Sequence, residues 1–269
     1  MGRIRSISCL VAAALLGACA GPITSTGKPL DYLPSLAGDY FPLRSAAMGS
    51  TYHIYVRYPE DYAKEPTARY PVVYLLDGDS VFPMLAPEHL FLHYDDHIPD
   101  AVLVGIAYGS FAPPMNHREI DFGSRAADFE RFLADELIPA VERRVRADPA
   151  RRILVGQSFG ANFVLYSAYQ DPDLFWARIA SNPSARMHQE LLTEAPHSAT
   201  RTDARLYLVS GTANNADGRQ FALKLAERWQ HSSGPWAFEE IDIPGGTHAA
   251  DLPNAYRLAL RRLFNVTPP

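Results

Sequence analysis

Residues 152–169 read Arg-Ile-Leu-Val-Gly-Gln-Ser-Phe-Gly-Ala-Asn-Phe-Val-Leu-Tyr-Ser-Ala-Tyr, and this stretch decides the fold. Arg152 to Gly156 is a short apolar run of the kind expected for a buried strand, and Phe159 to Tyr169 has the composition of an apolar helix. Between them stands Gly156-Gln157-Ser158-Phe159-Gly160. As a bare pattern G-x-S-x-G is weak, because glycine and serine are common. Set between a buried strand and a helix it becomes a candidate nucleophile elbow, a sharp turn that lifts a serine hydroxyl clear of the sheet edge. The flanking glycines let neighbouring backbone approach that turn without a Cβ clash.

The rest of the chain repeats the alternation. Thr51–Tyr58, Tyr70–Leu76, Ala101–Ala107, Arg178–Ala180, Leu206–Ser210 and Phe238–Ile243 read as strands. Ala126–Val145 has helical spacing, with Phe129, Phe132, Leu133, Leu137 and Val141 on one face and a bend expected at Pro139. Asp217–Trp229 and Leu252–Phe264 read as further helices. This pattern predicts an α/β fold: one doubly wound, mostly parallel sheet with helices on both faces, without internal repeat or second domain.

A serine hydroxyl is a poor nucleophile until a base takes its proton. Four histidines follow Ser158, and His248 is the candidate base because Gly245-Gly246-Thr247-His248 sits between the last strand and the last helix. Open α/β sheets place functional side chains in such carboxyl-end loops. His89, His93 and His97 are spaced by four, but Pro87 and Pro99 bracket what reads as a loop, and no metal or cofactor is expected.

On these residues the chain resembles the esterase D-like α/β hydrolases, most closely their siderophore-esterase branch. The resemblance runs from about Met48. It is carried by Met48-Gly49-Ser50, Leu75-Leu76-Asp77-Gly78, Asp148-Pro149-Ala150-Arg151-Arg152, the elbow, Pro172-Asp173-Leu174-Phe175, Ser181-Asn182-Pro183-Ser184 and Thr247-His248. It implies an α/β-hydrolase fold and hydrolysis of a carboxylic ester, with a siderophore trilactone among the substrates the family accepts. It also implies two backbone oxyanion donors, the N–H groups of Asp79 and Phe159. It leaves two readings for the group behind His248. The mycolyltransferase-like spacing, six residues past Gly211, gives Asp217 as the acid; the alternative has Asn214 or a backbone carbonyl fixing the tautomer in a Ser–His dyad, as in some siderophore esterases.

At the amino end, Arg3 and Arg5 precede an apolar segment, Ile7–Ala18, too short to span a bilayer. With Leu16-Gly17-Ala18-Cys19 it resembles a lipoprotein signal. Residues 1–18 are therefore expected to be a signal peptide, Cys19 the lipidated residue, 19–47 a tether and 48–269 the hydrolase domain. The body is then expected on the periplasmic side of the cell envelope, anchored through the lipid alone, with the outer membrane the expected carrier. Of 269 residues 47% are hydrophobic and 20% charged, which excludes a disordered or coiled-coil chain. A net charge of −5 argues against nucleic acid as a partner. Two rivals share the sequence features: an acyltransferase using the same residues, and a non-catalytic binding lipoprotein.

Overall fold

The computed structural model describes residues 37–231 and 234–266. The expected signal peptide, Cys19 and most of the expected tether lie outside the described residues.

The described residues begin with an antiparallel pair, β1 (Gly38–Arg44) and β2 (Thr51–Arg57). After β3 (Tyr70–Leu75) comes α1 (Gly78–Asp96), then β4 (Val102–Ala107). A π-helical turn, Ile120–Ser124, leads into α2 (Ala126–Arg131), a second π-helical segment (Phe132–Leu137) and α3 (Ile138–Glu142). There follow β5 (Ala147–Gln157), α4 (Phe159–Gln170), β6 (Ala177–Ser181), β7 (Arg205–Gly211), α5 (Ala216–Gln230), β8 (Ala237–Ile243) and α6 (Leu252–Leu263).

The eight strands form one sheet in the order β1-β2-β4-β3-β5-β6-β7-β8, parallel from β4 to β8. Alternate residues of the central strands feed two cores. Val72, Tyr74 and Leu154 face a layer with Phe129, Phe163 and Leu225 from α2, α4 and α5. Val73, Leu75, Ile153 and Val155 face Val81 and Leu85 of α1 and Tyr256 of α6. Strand order reverses between β3 and β5, and the helices that follow them, α1 and α4, leave on opposite faces. Such a switch point opens a crevice beyond the carboxyl ends of the strands.

Three expectations need correction. The tether cannot reach residue 47, because β1 pairs with β2 along its whole length, from Gly38 with Arg57 to Arg44 with Thr51, and Ser45 is buried. The stretch bracketed by Pro87 and Pro99, expected as a loop, is helical as far as Asp96, being the second half of α1 (Gly78–Asp96), despite Pro83 and Pro87. Burial of Val81, Leu85, Ala86, His89 and Leu92 against the sheet outweighs the two missing N–H donors. The helical run from Ala126 is interrupted by the π-helical segment that ends just before Pro139, which supplies no N–H to the preceding turn.

Candidate active site

Ser158 stands between β5 and α4 with φ 58° and ψ −119°, a region that side chains rarely adopt. Such strain costs of order 1–3 kcal/mol and is tolerated where the surroundings over-determine it. Here the glycines make the turn possible: a Cβ on Gly156 would lie 2.3 Å from the carbonyl oxygen of Gly160. Ser158 donates its own N–H to Ser181 O of the neighbouring strand at 3.0 Å, which fixes the elbow to the sheet.

His248 reaches the serine from the loop after β8. Its Nε2 lies 2.9 Å from Ser158 Oγ, and its Nδ1 lies 2.9 Å from Asn214 Oδ1. Asn214 is 9% exposed. The backbone N–H of Asn215 donates to the same Asn214 oxygen at 2.8 Å, and Asn215 Nδ2 donates to it at 3.0 Å. A backbone N–H is always a donor, so this atom of the Asn214 amide is the oxygen. The proton of neutral His248 therefore sits on Nδ1, which leaves the Nε2 lone pair to accept from the serine hydroxyl. Burial, then the positive charge of Arg118, holds His248 below its usual pKa.

Asp217 does not take the acid's place. The loop after β7 closes tightly, with Asn214 N–H donating to Gly211 O at 3.1 Å, so the residue three past the glycine meets the histidine. Asn215 then caps α5 by accepting from Gly218 N–H at 2.9 Å. Asp217 lies within the first turn of that helix and makes no hydrogen bond to His248; its side chain lines an adjoining cavity.

Two further side chains hold the histidine loop, and sequence reading missed both. Gln157, just before the serine, donates Nε2–H to His248 O at 2.6 Å. Asn182, fully buried at the end of β6, donates Nδ2–H to the carbonyls of Thr247 and His248 at 3.1 Å each, while its Oδ1 accepts from Gly211 N–H at 2.9 Å. One amide thus ties the Asn214 loop to the His248 loop. The quoted Ser181-Asn182-Pro183-Ser184 run held the only sequence signal for it.

Asp79 and Phe159 open the first turns of α1 and α4, where backbone N–H groups lack helical acceptors. The Asp79 carboxylate accepts from the N–H groups of Tyr108 and Gly109 at 2.7 and 2.8 Å, anchoring the loop after β4. Ser158 and His248 sit where two cavities meet. One, of about 270 Å³, is lined also by Asp79, Phe111 and Arg118. The other, of about 690 Å³, is lined by Phe159, Arg186, Asp217, Phe221 and Lys224. Asn162 of α4 shapes the larger one, since its amide grips Ser184 and Met187 on either side of Arg186.

His89, His93 and His97 do not converge. His89 is buried between Tyr256 Oη and Pro99 O, His93 faces Ile98 O, and His97 ends α1. Among the described residues no three His, Cys, Asp or Glu side chains gather at metal-binding distance.

Residues 45–247 match the esterase family described as "Putative esterase". The chain is 30% identical over 207 residues to the ferri-bacillibactin esterase BesA of Bacillus subtilis, covering 67% of each. It is 28% identical over 192 residues to the apo-salmochelin esterase of Escherichia coli, covering 63% of this chain and 59% of that one. Among solved structures, the BES protein from Bacillus cereus superposes with a TM-score of 0.74 at 21% identity, over 89% of this chain and 98% of that one. An IroE-like serine hydrolase from Shewanella oneidensis gives 0.72 at 22% identity, over 85% and 80%. By its sequence match, its mostly parallel sheet and its serine elbow, the chain belongs to this esterase family and is a serine esterase of the α/β-hydrolase fold.

Proposed function

We propose that the chain hydrolyses a siderophore ester through an acyl-enzyme formed on Ser158. The observation that carries this reading is the Ser158 Oγ–His248 Nε2 contact of 2.9 Å at the junction of two cavities. His248 Nε2 takes the hydroxyl proton as Oγ attacks the ester carbonyl carbon. The oxyanion lies against the N–H groups of Phe159 and Asp79, donors whose individual loss typically costs about 10²–10³ in rate. His248 then passes its proton to the leaving alcohol as the C–O bond breaks. Water, deprotonated by the same nitrogen, attacks the acyl-enzyme and releases acid and serine. Asn214 Oδ1 holds the Nδ1 proton throughout. No step calls for a cofactor.

Two features favour a bulky anionic ester. The 690 Å³ cavity falls within the range of small-molecule sites. Among the described residues, Arg186 and Lys224 in its lining lie within ion-pair distance of no carboxylate, so their charges are available to a ligand such as a ferric tris-catecholate. The names of BesA and of the apo-salmochelin esterase point to the same substrate class. The test is to incubate wild type and Ser158→Ala with ferric and iron-free tricatecholate trilactones and follow ring opening by liquid chromatography and mass spectrometry. Opening by wild type alone is the expected result. An intact trilactone, with simple esters still cleaved, would assign the site to another ester.

The location is part of the same proposal. Residues 1–18 direct export, Cys19 is lipidated, and the esterase stands on the periplasmic side, with no helix among the described residues long and apolar enough to cross a membrane. One fatty chain binds a membrane only marginally, so stable anchoring needs the multiple acylation of a lipoprotein cysteine.

A further inference from the structure

The two oxyanion donors belong to separate turns, one after β3 and one after β5, and a hole built from two turns works only while their spacing is kept. Arg118 touches both. It comes from the long loop after β4, two residues before the π-helical turn Ile120–Ser124. Its Nε and Nη2 donate to Asp77 Oδ1 and Oδ2 at 2.6 and 2.8 Å, a bidentate pair on the residue that turns β3 into α1. Asp77 holds that turn in a left-handed conformation, φ 53° and ψ 44°. On the other side Arg118 Nη2 lies 3.4 Å from Gln157 O, and its guanidinium carbon is 5.2 Å from the centre of the Phe159 ring. Arg118 also lines the smaller cavity with Ser158 and His248.

We propose that Arg118 is a positioning residue that clamps the Asp77–Asp79 turn to the Gln157–Phe159 elbow and so sets the width of the oxyanion hole. The inference rests on the serine-esterase mechanism above. A planar, bidentate guanidinium suits the task, because it fixes direction as well as distance; an ammonium on the same stem supplies charge without a fork. With both Nε and Nη2 committed to Asp77, Arg118 is poorly placed to act mainly as a substrate-binding cation. A clamp acts on the transition state, so its loss falls on kcat; a substrate contact would fall on KM.

The experiment compares Ser158→Ala, Arg118→Gln and Arg118→Lys with wild type on p-nitrophenyl butyrate across pH. Rates of wild type and the Arg118 variants are expressed per active site, titrated to completion with a fluorophosphonate, so that misfolded chains drop out. The rate of Ser158→Ala is expressed per mole of protein whose fold is checked by circular dichroism. Arg118→Gln is expected to lose about 10–100-fold in kcat with KM held within about threefold. Its acid limb should move to higher pH, since a cation opposing the imidazolium is gone. Arg118→Lys is expected to share the kcat loss while its limb stays near that of wild type. Unchanged kcat in both variants, or a loss confined to KM, overturns the clamp. Full turnover by Ser158→Ala would instead overturn the serine mechanism, so the two failures are told apart.

Discussion

Replacing Asn214 by aspartate tests how His248 is held. Asn214 Oδ1 lies 2.9 Å from His248 Nδ1, and the N–H of Asn215 would continue to orient the new side chain. A carboxylate at that distance puts a full negative charge about 4 Å from the imidazolium centre. Coulomb's law gives about 1 kcal/mol in water and about 4 kcal/mol at an effective dielectric of 20. At about 1.4 kcal/mol per unit, the shift is about one to three units upward. The wild-type histidine starts below its ordinary 6.5 because of burial and Arg118. Activity needs the neutral imidazole, so the wild-type acid limb should fall below pH 6.5 and that of Asn214→Asp well above the wild-type one. The assay is kcat/KM against pH on a p-nitrophenyl ester, which reports the free enzyme's base. A limb that does not move in Asn214→Asp would refute the contact. In Asn214→Leu the Nδ1 proton loses its acceptor and the tautomer its anchor, so kcat should drop steeply while the fold survives.

Other residues give equally direct outcomes. Asp217→Ala should keep kcat within about threefold, because no hydrogen bond links it to His248; a loss of about 10²-fold or more would restore it as the acid. Neutralising Arg186 and Lys224 together should raise KM for an anionic trilactone and leave p-nitrophenyl butyrate nearly unchanged, as steady-state kinetics on both substrates would show. Glu130 is buried beside Arg178, and burial raises its carboxyl to about 7. The folded state therefore holds a proton that the unfolded chain releases near its ordinary value of 4.5. Stability from this group is full below about pH 4.5 and lost by about pH 7. Thermal melts of Glu130→Gln should lack that part of the decline. Cys19→Ser should abolish incorporation of a labelled fatty acid; retained label would remove Cys19 as the lipidation site.

The strands that carry the site were legible because they are buried on both faces. Val102–Ala107 and the Ile153–Val155 segment are continuous apolar runs bounded by turns, a pattern few other structures satisfy. Ser158 was legible for the same reason, since it stands just past such a strand. His248 instead follows the half-exposed edge strand β8, Ala-Phe-Glu-Glu-Ile-Asp-Ile, and its cue was the Gly245-Gly246-Thr247 loop before the last helix. The opposite edge was not legible: Gly38–Arg44 is largely exposed and contains Pro42, so its strand character comes from pairing with β2 rather than from its own composition. Helix α1 was hidden by two prolines that packing overrides. Asn214 was one of two readings the sequence left open, whereas Asn182 and Gln157 show why a site's supports are harder to read than its reactive atoms. Their roles arise from segments 66 and 91 residues away from His248 along the chain meeting it in space, and an amide has no local signature of that meeting. Asp217 drew attention as a carboxylate, but the geometry of the turn put a neutral amide at the position that counts.

The most direct test of the central claim joins a covalent readout to a kinetic one. Wild type and Ser158→Ala would each be treated with a fluorophosphonate, digested and examined by mass spectrometry, beside p-nitrophenyl butyrate turnover under the same conditions. The serine mechanism predicts one adduct, on Ser158, in step with loss of turnover, and neither adduct nor turnover in the folded variant. Undiminished hydrolysis by Ser158→Ala, or an adduct elsewhere on the chain that abolishes activity, would contradict it.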